Sequence, residues 1–480
     1  VKWIDTQTRI ARSIQVIRMS QTSHSQKPEV APINWSVTAV LGLTFVAAVT
    51  IVPWYGFTHG YNGWSWLFFG IFTVLNGIGI GSGYHRLWSH RTYEAHPALR
   101  WFLAVMGGMA LQNSIIVWSA RHRIHHREVD DNDKDPYSIG RGFWFAHIGW
   151  MLRDYKSGKV DYSVVRDLER DPVAAWQHRW YWTLVWTTNA GVPLLLGWLT
   201  GDMLGMLLLA GVLRLVVSHH VTFFINSLAH IWGRQPYTDE NSARDQHFLA
   251  LITYGEGYHN YHHLFQNDYR CGIRWWHLDI NKWFISICAL LGLARNRKRA
   301  PMFKVLRARL NMEFKRARQR LPFPLLGIDS DSGSEFINDQ LYRYCIKEKI
   351  TFTRGRAGRK NDNAYVEQKN WSVVRRAVGY GRYDSPGQLE LLNTLYTRLH
   401  LYVNFFLPVM KLKEKSRAGS KVKRIYDDPQ TPYARVLVSP DVSEEHKAQL
   451  REAYTLLDLV DLRRQINELQ SVLLNTASNR

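Results

Sequence analysis

The stretch "GEGYHNYHH", residues 255–263, places three histidines within five positions, directly behind two glycines. His259, His262 and His263 stand at positions i, i+3 and i+4. At about 100° per residue in an α-helix, these positions share one face. All three imidazoles are therefore expected to point to one side. A single histidine is more often a satisfied polar side chain than a ligand, but three on one face indicate a metal site.

Three earlier segments repeat this concentration of possible ligands. They are "HRLWSH" with His85 and His90, "HRIHH" with His122, His125 and His126, and "NSLAH" with Asn226 and His230. His85 and His90 are five apart, about 140° round a regular α-helix. They can therefore share a site only if the helix ends between them, or else they bind different metals. Neutral imidazole suits iron, zinc and copper, and nine ligands exceed what one ion takes, so the pattern favours two metals.

Eight other histidines stand alone or outside this spacing. We interpret them as ordinary polar side chains: His59, His96, His147, His178, His219, His220, His247 and His277.

Four apolar stretches approach the roughly 20 residues that a helix needs to cross about 30 Å of hydrocarbon. They run over 36–54, 64–82, 181–199 and 203–224. Neither the connection "WYGFTHGYNG" nor the connection "TGD" contains lysine or arginine, whereas basic residues crowd the opposite side. The positive-inside rule then predicts that the histidine clusters face the cytoplasm.

A fifth apolar stretch, 99–118, would separate His90 from His122 if it crossed the bilayer. It contains Arg100, the pair Gln112 and Asn113, and a Gly107-Gly108 break. Irregular polar backbone is not tolerated against lipid, so we expect this stretch to lie on the membrane or to dip into it from the cytoplasmic face. Every histidine cluster then stays on one side.

Together, the motifs H-x4-H, H-x-x-H-H and H-x-x-H-H, with the intervening N-S-x-A-H, closely resemble the membrane acyl-CoA Δ9 fatty-acid desaturases. The stretches "GYHRLWSHRTYEA" and "WSARHRIHHREVDDNDKDPYS" add to the resemblance, which covers about 32–321. It implies an α-helical polytopic membrane protein with four transmembrane helices and a cytoplasmic helical cap. It also implies that Asn226 holds one iron through a water. The residues implied to bind two irons are His85, His90, His122, His125, His126, His230, His259, His262 and His263.

The resemblance also implies a reaction, a substrate and partners. The C–H bonds of an unactivated methylene are too strong to be broken by an acid or a base. The metals would therefore supply the oxidising power, with dioxygen and two electrons. The product is a cis double bond in a saturated acyl chain carried by CoA or by a lipid. No ferredoxin-type cysteine set or haem domain is evident in the sequence, so a ferredoxin, or a haem cytochrome with its reductase, is expected as the electron donor. Phe69 and Thr73 are candidates for the floor of the substrate tunnel.

Two rivals use the same histidines. The first is a hydroxylase or acyl-lipid oxygenase, which would yield an alcohol rather than an alkene. The second is a membrane protein that binds metal without catalysis. Only the product separates the first rival from a desaturase.

The composition changes near Leu321. Of 20 tryptophans and 20 histidines, only Trp371, His400 and His446 follow it. "DSGSEF" and "NDNAYVEQKN" resemble the integrase catalytic core of insertion-sequence transposases, an RNase H-like α/β fold with two aspartates and one glutamate. Asp331 and Glu367 match two of these acids, as vestiges, but the first aspartate would fall in desaturase-like sequence.

We therefore predict a chimera of three segments, consisting of a basic N-terminal extension (1–31), a desaturase domain (32–321) and a truncated transposase core (322–480). A mobile element suggests a bacterial host and hence the inner membrane. Helices are expected over 443–470. The basic runs "RGRAGRK" and "KLKEKSRAGSKVKR" contribute to a net charge of +21, but we interpret them as solvated, and DNA is not expected as a partner. The remaining rival is a DNA-binding transposase remnant carried on an inactive desaturase.

Overall fold

The computed structural model separates into two compact units, Val1–Arg309 and Leu310–Arg480. The predicted junction at 321/322 stays a prediction. Asp331, Glu367 and almost all of the N-terminal extension lie outside the described residues. The structure describes 31–319, 321, 324–330, 339–355 and 370–476.

The first unit is α-helical. Its α-helices are Trp35–Val49, Ile51–Thr58, Gly63–Ile78, Pro97–Gly108, Ile115–Glu128, Trp150–Leu152, Arg166–Glu169, Pro172–Arg179, Tyr181–Trp186, Val192–Thr200, Met203–Met206, Arg214–Asn226, Leu228–Ile231, His247–Ile252, His259–Leu264 and Ile280–Leu290. Wider π-helical turns occur at Gly79–Ser89, Phe145–Gly149, Thr187–Gly191 and Leu207–Leu213, and 3₁₀ turns at Ile139–Arg141, Lys156–Gly158 and Tyr162–Val165. Two short strands, Glu94–Ala95 and Ala294–Arg295, pair antiparallel. The helix Met302–Gln319 follows and runs past the boundary of the unit.

Three helices of the described chain are long and apolar enough to cross a membrane. They are the continuous helical runs Trp35–Thr58, Gly63–Ser89 and Met203–Ile231. The predicted span 181–199 is also helical, through Tyr181–Trp186, Thr187–Gly191 and Val192–Thr200, but it is not one of the three. The structure thus supports a membrane protein, and the count of four spans stays a prediction.

The connections "WYGFTHGYNG" and "TGD", which contain no lysine or arginine, lie next to each other in the structure. The hydroxyl of Tyr55 donates to Oδ1 of Asp202 at 2.7 Å. Nδ2 of Asn62 donates to the carbonyl of Thr200 at 3.3 Å. Asn62 and Asp202 also accept backbone N–H groups at the starts of the helices that they precede. The same two residues therefore cap helices and join both connections at one end of the bundle.

The fifth apolar stretch is broken, as its glycine pair and polar residues predict. One helix ends at Gly108 and the next begins at Ile115. Between them, Leu111 and Asn113 adopt positive φ angles of 52° and 73°. Nε2 of His90 lies 2.9 Å from Nε2 of His122, so the stretch does not separate them and the predicted common side is confirmed.

Close packing of glycines fixes the second long helix against its neighbour. A Cβ on Gly79 would lie 2.4 Å from the backbone nitrogen of Gly107, and a Cβ on Gly107 would lie 2.2 Å from the ring of Tyr84. Tyr84 is fully buried, as is Leu103 on the neighbouring helix. This contact places the segment that follows Gly79, including His85, at a fixed depth in the unit.

The second unit contains two small sheets and a helical pair. Its parallel strands Gly327–Ser330 and Thr351–Arg354 flank the helix Asp339–Lys347, and Leu412–Ala418 pairs antiparallel with Lys421–Tyr426. Its other helical segments are Asn370–Arg375, Arg376–Val378, Pro386–Phe405, Pro432–Leu437, Glu444–Thr455 and Leu459–Thr476. The helices predicted over 443–470 are confirmed. Leu395, Ile466 and Leu473 are buried in the core of this unit.

We predict that Gly79→Ala destabilises the first unit by about 1–3 kcal/mol, because the new methyl group meets backbone that cannot move aside. Gly70→Ala on the same helix is the matched control, since a Cβ there meets nothing within 4 Å. The midpoint of thermal unfolding in detergent should fall for the first variant only. Equal midpoints would contradict the close helix contact.

Candidate metal centre

The nine histidines come from four places in the chain. His85 lies on the π-helical segment Gly79–Ser89 and His90 directly follows it. The second histidine motif lies within the helix Ile115–Glu128, and the third forms most of His259–Leu264. His230 lies in the single turn Leu228–Ile231, at the end of a membrane-spanning helix.

The glycines in front of the third motif allow close approach of backbone. Gly255 has a φ of 108°, and a Cβ there would lie 2.6 Å from the carboxyl carbon of Asp279. A Cβ on Gly257 would lie 2.2 Å from the backbone nitrogen of Ala250. Any side chain at either position would push the short histidine helix away from the structure behind it.

The first motif corrects one expectation. The backbone N–H of His90 donates to the carbonyl of His85 at 3.1 Å, an i+5 bond typical of a π-helix. This wider turn brings residues five apart nearly above one another, and the ring centroids of His85 and His90 lie 4.9 Å apart. The 140° separation assumed a regular α-helix and was wrong here. The two residues belong to one group.

The side chains converge on two adjacent groups. Within each group, one nitrogen of every ring lies within 4.8 Å of the others. The five-histidine group consists of His85, His90, His122, His126 and His262, and the four-histidine group of His125, His230, His259 and His263. None of the eight histidines set aside above belongs to either group. The sequence therefore identified every member of both groups.

The spacing of the ring nitrogens fits metal coordination. Adjacent ligands at about 2.1 Å from one ion lie about 3 Å apart, by the geometry of a right angle. The Nε2–Nε2 distances are 2.9 Å for His85–His262, 2.9 Å for His90–His122, 3.0 Å for His126–His262, 3.1 Å for His259–His263 and 3.3 Å for His125–His263. Two neutral imidazoles with both lone pairs facing each other repel, so a cation between them is the natural partner of this arrangement.

Burial favours the neutral form of several of these imidazoles. Desolvation, followed by the nearby rings, holds the pKa of His122 well below its usual value, and the same causes lower the pKa values of His126 and His262. In the four-histidine group, burial likewise lowers the pKa of His263. A neutral ring retains the lone pair that a metal requires.

Buried carboxylates orient two of the ligands from behind. Both oxygens of Asp135 lie 3.0 Å from Nδ1 of His125, and Oε2 of Glu256 lies 3.1 Å from Nδ1 of His85. A carboxylate only accepts, so each ring carries its proton on Nδ1 and offers Nε2 to the group. Burial opposes ionisation of Glu256, but Arg86 and His85 together, through their charges and hydrogen bonds, outweigh it and hold the pKa of Glu256 well below its usual value.

A buried ionic cluster anchors Glu256 in turn. Arg86 binds Glu256 at 2.7 Å and Asp279 at 3.0 Å, and all three side chains are almost completely buried. The sequence analysis missed Asp135, Glu256 and this cluster. A signal was available, since Glu256 lies inside "GEG" and Asp135 follows the second motif in "DKDP".

A cavity of about 380 Å³ reaches both histidine groups. Apolar side chains such as Val37, Leu41 and Ile80 line part of it. The ligand candidates on its wall are His85, His122, His125 and His259. Asn226 also lines the cavity, which brings its amide to the space that borders the four-histidine group. Its action through a water stays a prediction.

Phe69 and Thr73, the tunnel candidates, are not among the described residues that line this cavity. The hydroxyl of Thr73 donates to the carbonyl of Phe69 at 2.6 Å, and the ring of Phe69 packs in an apolar cluster with Val52 and Leu209. Asn76, nearly one turn further along the helix, lines the cavity instead. The role of Phe69 and Thr73 at the floor of the substrate tunnel stays a prediction.

Comparisons with known proteins agree with this geometry. The family model for fatty acid desaturases matches residues 61–286. A probable acyl-CoA desaturase of Schizosaccharomyces pombe is 44% identical over 271 residues, which is 56% of this chain and 55% of that protein. Acyl-CoA desaturase 1 of Saccharomyces cerevisiae is 37% identical over 292 residues, 60% of this chain and 56% of that protein.

The chain thus spans a little over half the length of these two yeast relatives. Stearoyl-CoA desaturase 5 of Bos taurus is 42% identical over 235 residues, which is 47% of this chain and 69% of that protein. The match includes all three histidine motifs, whose side chains form the two groups described above. By sequence and by the chemistry of its buried histidines, this chain belongs to the fatty acid desaturase family.

Proposed function

We propose that the chain is a dioxygen-dependent acyl-CoA desaturase that introduces a cis double bond, at the Δ9 position, into a saturated acyl chain. The observation that carries this proposal is the pair of largely buried histidine groups beside one partly apolar cavity. Such an arrangement serves a long apolar substrate that must reach two metals away from water. The names of the relatives support the choice of acyl-CoA over an acyl lipid.

The nine histidines would hold two irons, with Asn226 contributing through a water. Bound there, the irons would supply the oxidising chemistry, with dioxygen and two electrons, that breaking two unactivated C–H bonds requires. The protein's own part is to keep the rings neutral by burial and to orient them through Glu256 and Asp135. It also binds the acyl chain in the cavity and keeps bulk water from the reacting carbons.

The acyl carrier is expected to be anionic. Arg121 is the one arginine or lysine among the described residues that line the cavity, and it lies on the same helix as His122 and His125. A fixed guanidinium beside the site suits the phosphates of CoA. Electrons would come from a separate protein, either a ferredoxin or a haem cytochrome with its reductase.

We infer four membrane spans, with 181–199 as the third, and an active site that faces the cytoplasm of a bacterial inner membrane. The connections at Asn62 and Asp202 lie next to each other at the end of the bundle away from the histidine motifs. This supports a chain that crosses the membrane twice to reach each connection and return to the side of the motifs. The excess of basic residues beside those motifs supports the cytoplasmic orientation.

The C-terminal part is proposed to be a truncated RNase H-like transposase core that does not take part in desaturation. The support is the sequence resemblance around Asp331 and Glu367. The parallel strands Gly327–Ser330 and Thr351–Arg354, with the helix between them, are compatible with a fragment of an α/β core. DNA is not proposed as a partner.

The membrane topology can be tested by chemical labelling of cysteines introduced one at a time. All three native cysteines are buried. Tyr162→Cys and Trp275→Cys introduce thiols at residues that are 45% and 81% exposed, on either side of the third and fourth spans. A membrane-impermeant maleimide should label neither in intact cells and both after permeabilisation, whereas His59→Cys should react from outside. Labelling of only one of the first pair in intact cells would exclude four spans.

The activity is tested in cells that cannot desaturate fatty acids. Expression of the full chain should produce monounsaturated chains, detected by gas chromatography, with mass spectrometry placing the double bond at Δ9. Residues 19–321 should give the same product, because the remainder is proposed to be dispensable. A hydroxylated product would favour the hydroxylase alternative. Product from the shorter chain alone would show that the C-terminal part disables the enzyme.

The ligand assignment is tested by His262→Ala, which removes a nitrogen that lies within 3.0 Å of two other ligand nitrogens. Desaturation should be abolished while the protein remains in the membrane fraction. His59→Ala is the control, because His59 is exposed and lies at the connection between the first two spans. Retained desaturation in the first variant would contradict the assignment.

A further inference from the structure

His230 is held from behind by a chain of two hydrogen bonds. Its Nδ1 lies 2.6 Å from the hydroxyl of Ser242. That hydroxyl lies 2.5 Å from Oδ1 of Asp130, and the backbone N–H of Ser242 donates to Oδ2 of Asp130 at 2.7 Å. The three residues come from separate segments: the end of a membrane-spanning helix, the segment before the third motif, and the loop after the second.

The direction of each hydrogen bond follows from the groups involved. The carboxylate of Asp130 can only accept, so the hydroxyl proton of Ser242 points to Asp130. The hydroxyl oxygen is then left to accept the proton on Nδ1 of His230. A neutral imidazole has one such proton, so Nε2 of His230 keeps its lone pair. Nε2 is buried without a hydrogen-bond partner, as a nitrogen reserved for a metal would be.

The backbone of Asp130 is strained to make this contact. Its φ is 66°, a left-handed conformation that non-glycine residues rarely adopt. Its backbone N–H donates to Oδ2 of Asp135 at 3.1 Å, and Asp135 binds His125. One loop therefore orients two of the four rings in the four-histidine group.

We propose that Asp130 and Ser242 are positioning residues that fix His230 in the tautomer needed to bind iron, and so control occupancy of the four-histidine group separately from the five-histidine group. This inference rests on the proposed di-iron function and adds to it a means by which the two irons are held unequally. In the five-histidine group, the corresponding support is the direct contact between Glu256 and His85.

The test is Asp130→Asn in the full chain. Asparagine matches the shape of aspartate and tolerates the left-handed conformation, but its amide can donate to Ser242. The chain of hydrogen bonds can then reverse, with Ser242 donating to Nδ1 and the ring proton moving to Nε2. Ferrous iron should bind the four-histidine group about 10- to 100-fold more weakly, the usual cost of losing an outer partner.

Binding is measured without turnover, by titration with ferrous iron and by Mössbauer spectroscopy. The variant should lose the iron signal of one environment and keep the other. Asp133→Asn is the matched control, since Asp133 is an exposed aspartate of the same loop. Ser242→Thr keeps the hydroxyl and should bind iron as the wild-type chain does. Ser242→Ala removes the hydroxyl and should weaken iron binding as Asp130→Asn does.

Asp130→Gly separates orientation from backbone strain. Glycine adopts the left-handed conformation without strain, which offsets part of the stability lost with the hydrogen bonds from Ser242, so the chain should still fold while the iron site weakens because the carboxylate is gone. A stable variant with weakened iron binding supports positioning.

Each further outcome has one meaning. Wild-type chain that binds no iron overturns the proposed function, and the inference with it. Wild-type chain that binds two irons, with Asp130→Asn binding both equally well, overturns the inference alone. Equal weakening of both iron environments, together with a lower unfolding midpoint, would show a general structural role and would also overturn it.

Discussion

The structure depends on holding nine imidazoles together in two adjacent groups, largely buried and with defined orientations. A buried charge is expensive, so desolvation by itself favours the unprotonated ring. Neutrality leaves each ring with one proton, which must lie on the nitrogen away from the metal. Asp135 behind His125 and Glu256 behind His85 settle that choice where the sequence of the motif cannot. The carboxylates are therefore part of the site together with the histidines that they orient.

Bringing the rings together requires unusual backbone. The π turn makes a five-residue spacing equivalent to a common face, so His85 and His90 serve one group. Gly255 and Gly257 let the short helix of the third motif approach Asp279 and Ala250 more closely than any side chain would permit. The contact between Gly79 and Gly107 sets the depth of the first motif. Local geometry and helix packing thus jointly position the ligands.

The membrane helices explain why a helical unit can hold a site of this kind. His230 ends one long apolar helix, and His85 lies near the end of another, while the connections at Asn62 and Asp202 occupy the opposite end of the bundle. Polar and ionisable groups are thereby confined to one end, where outer partners can reach them. The apolar side chains that line the cavity belong largely to the long apolar helices, so one arrangement provides both the histidine groups and the cavity beside them.

The sequence by itself identified the nine histidines that gather in the two groups, the helical fold and the common side of the motifs, because these follow from residue type, from periodicity and from the cost of placing polar groups in lipid. It did not determine how the histidines divide between two groups. A rotation of 100° per residue describes a regular α-helix and does not predict the π turn that places His85 and His90 in one group. The tunnel role of Phe69 and Thr73 stays a prediction. Asp130, Ser242, Asp135 and Glu256 became visible only in the tertiary structure. Outer partners are chosen by distance in space, and a hydrogen bond between residues 112 positions apart leaves no local pattern in the sequence.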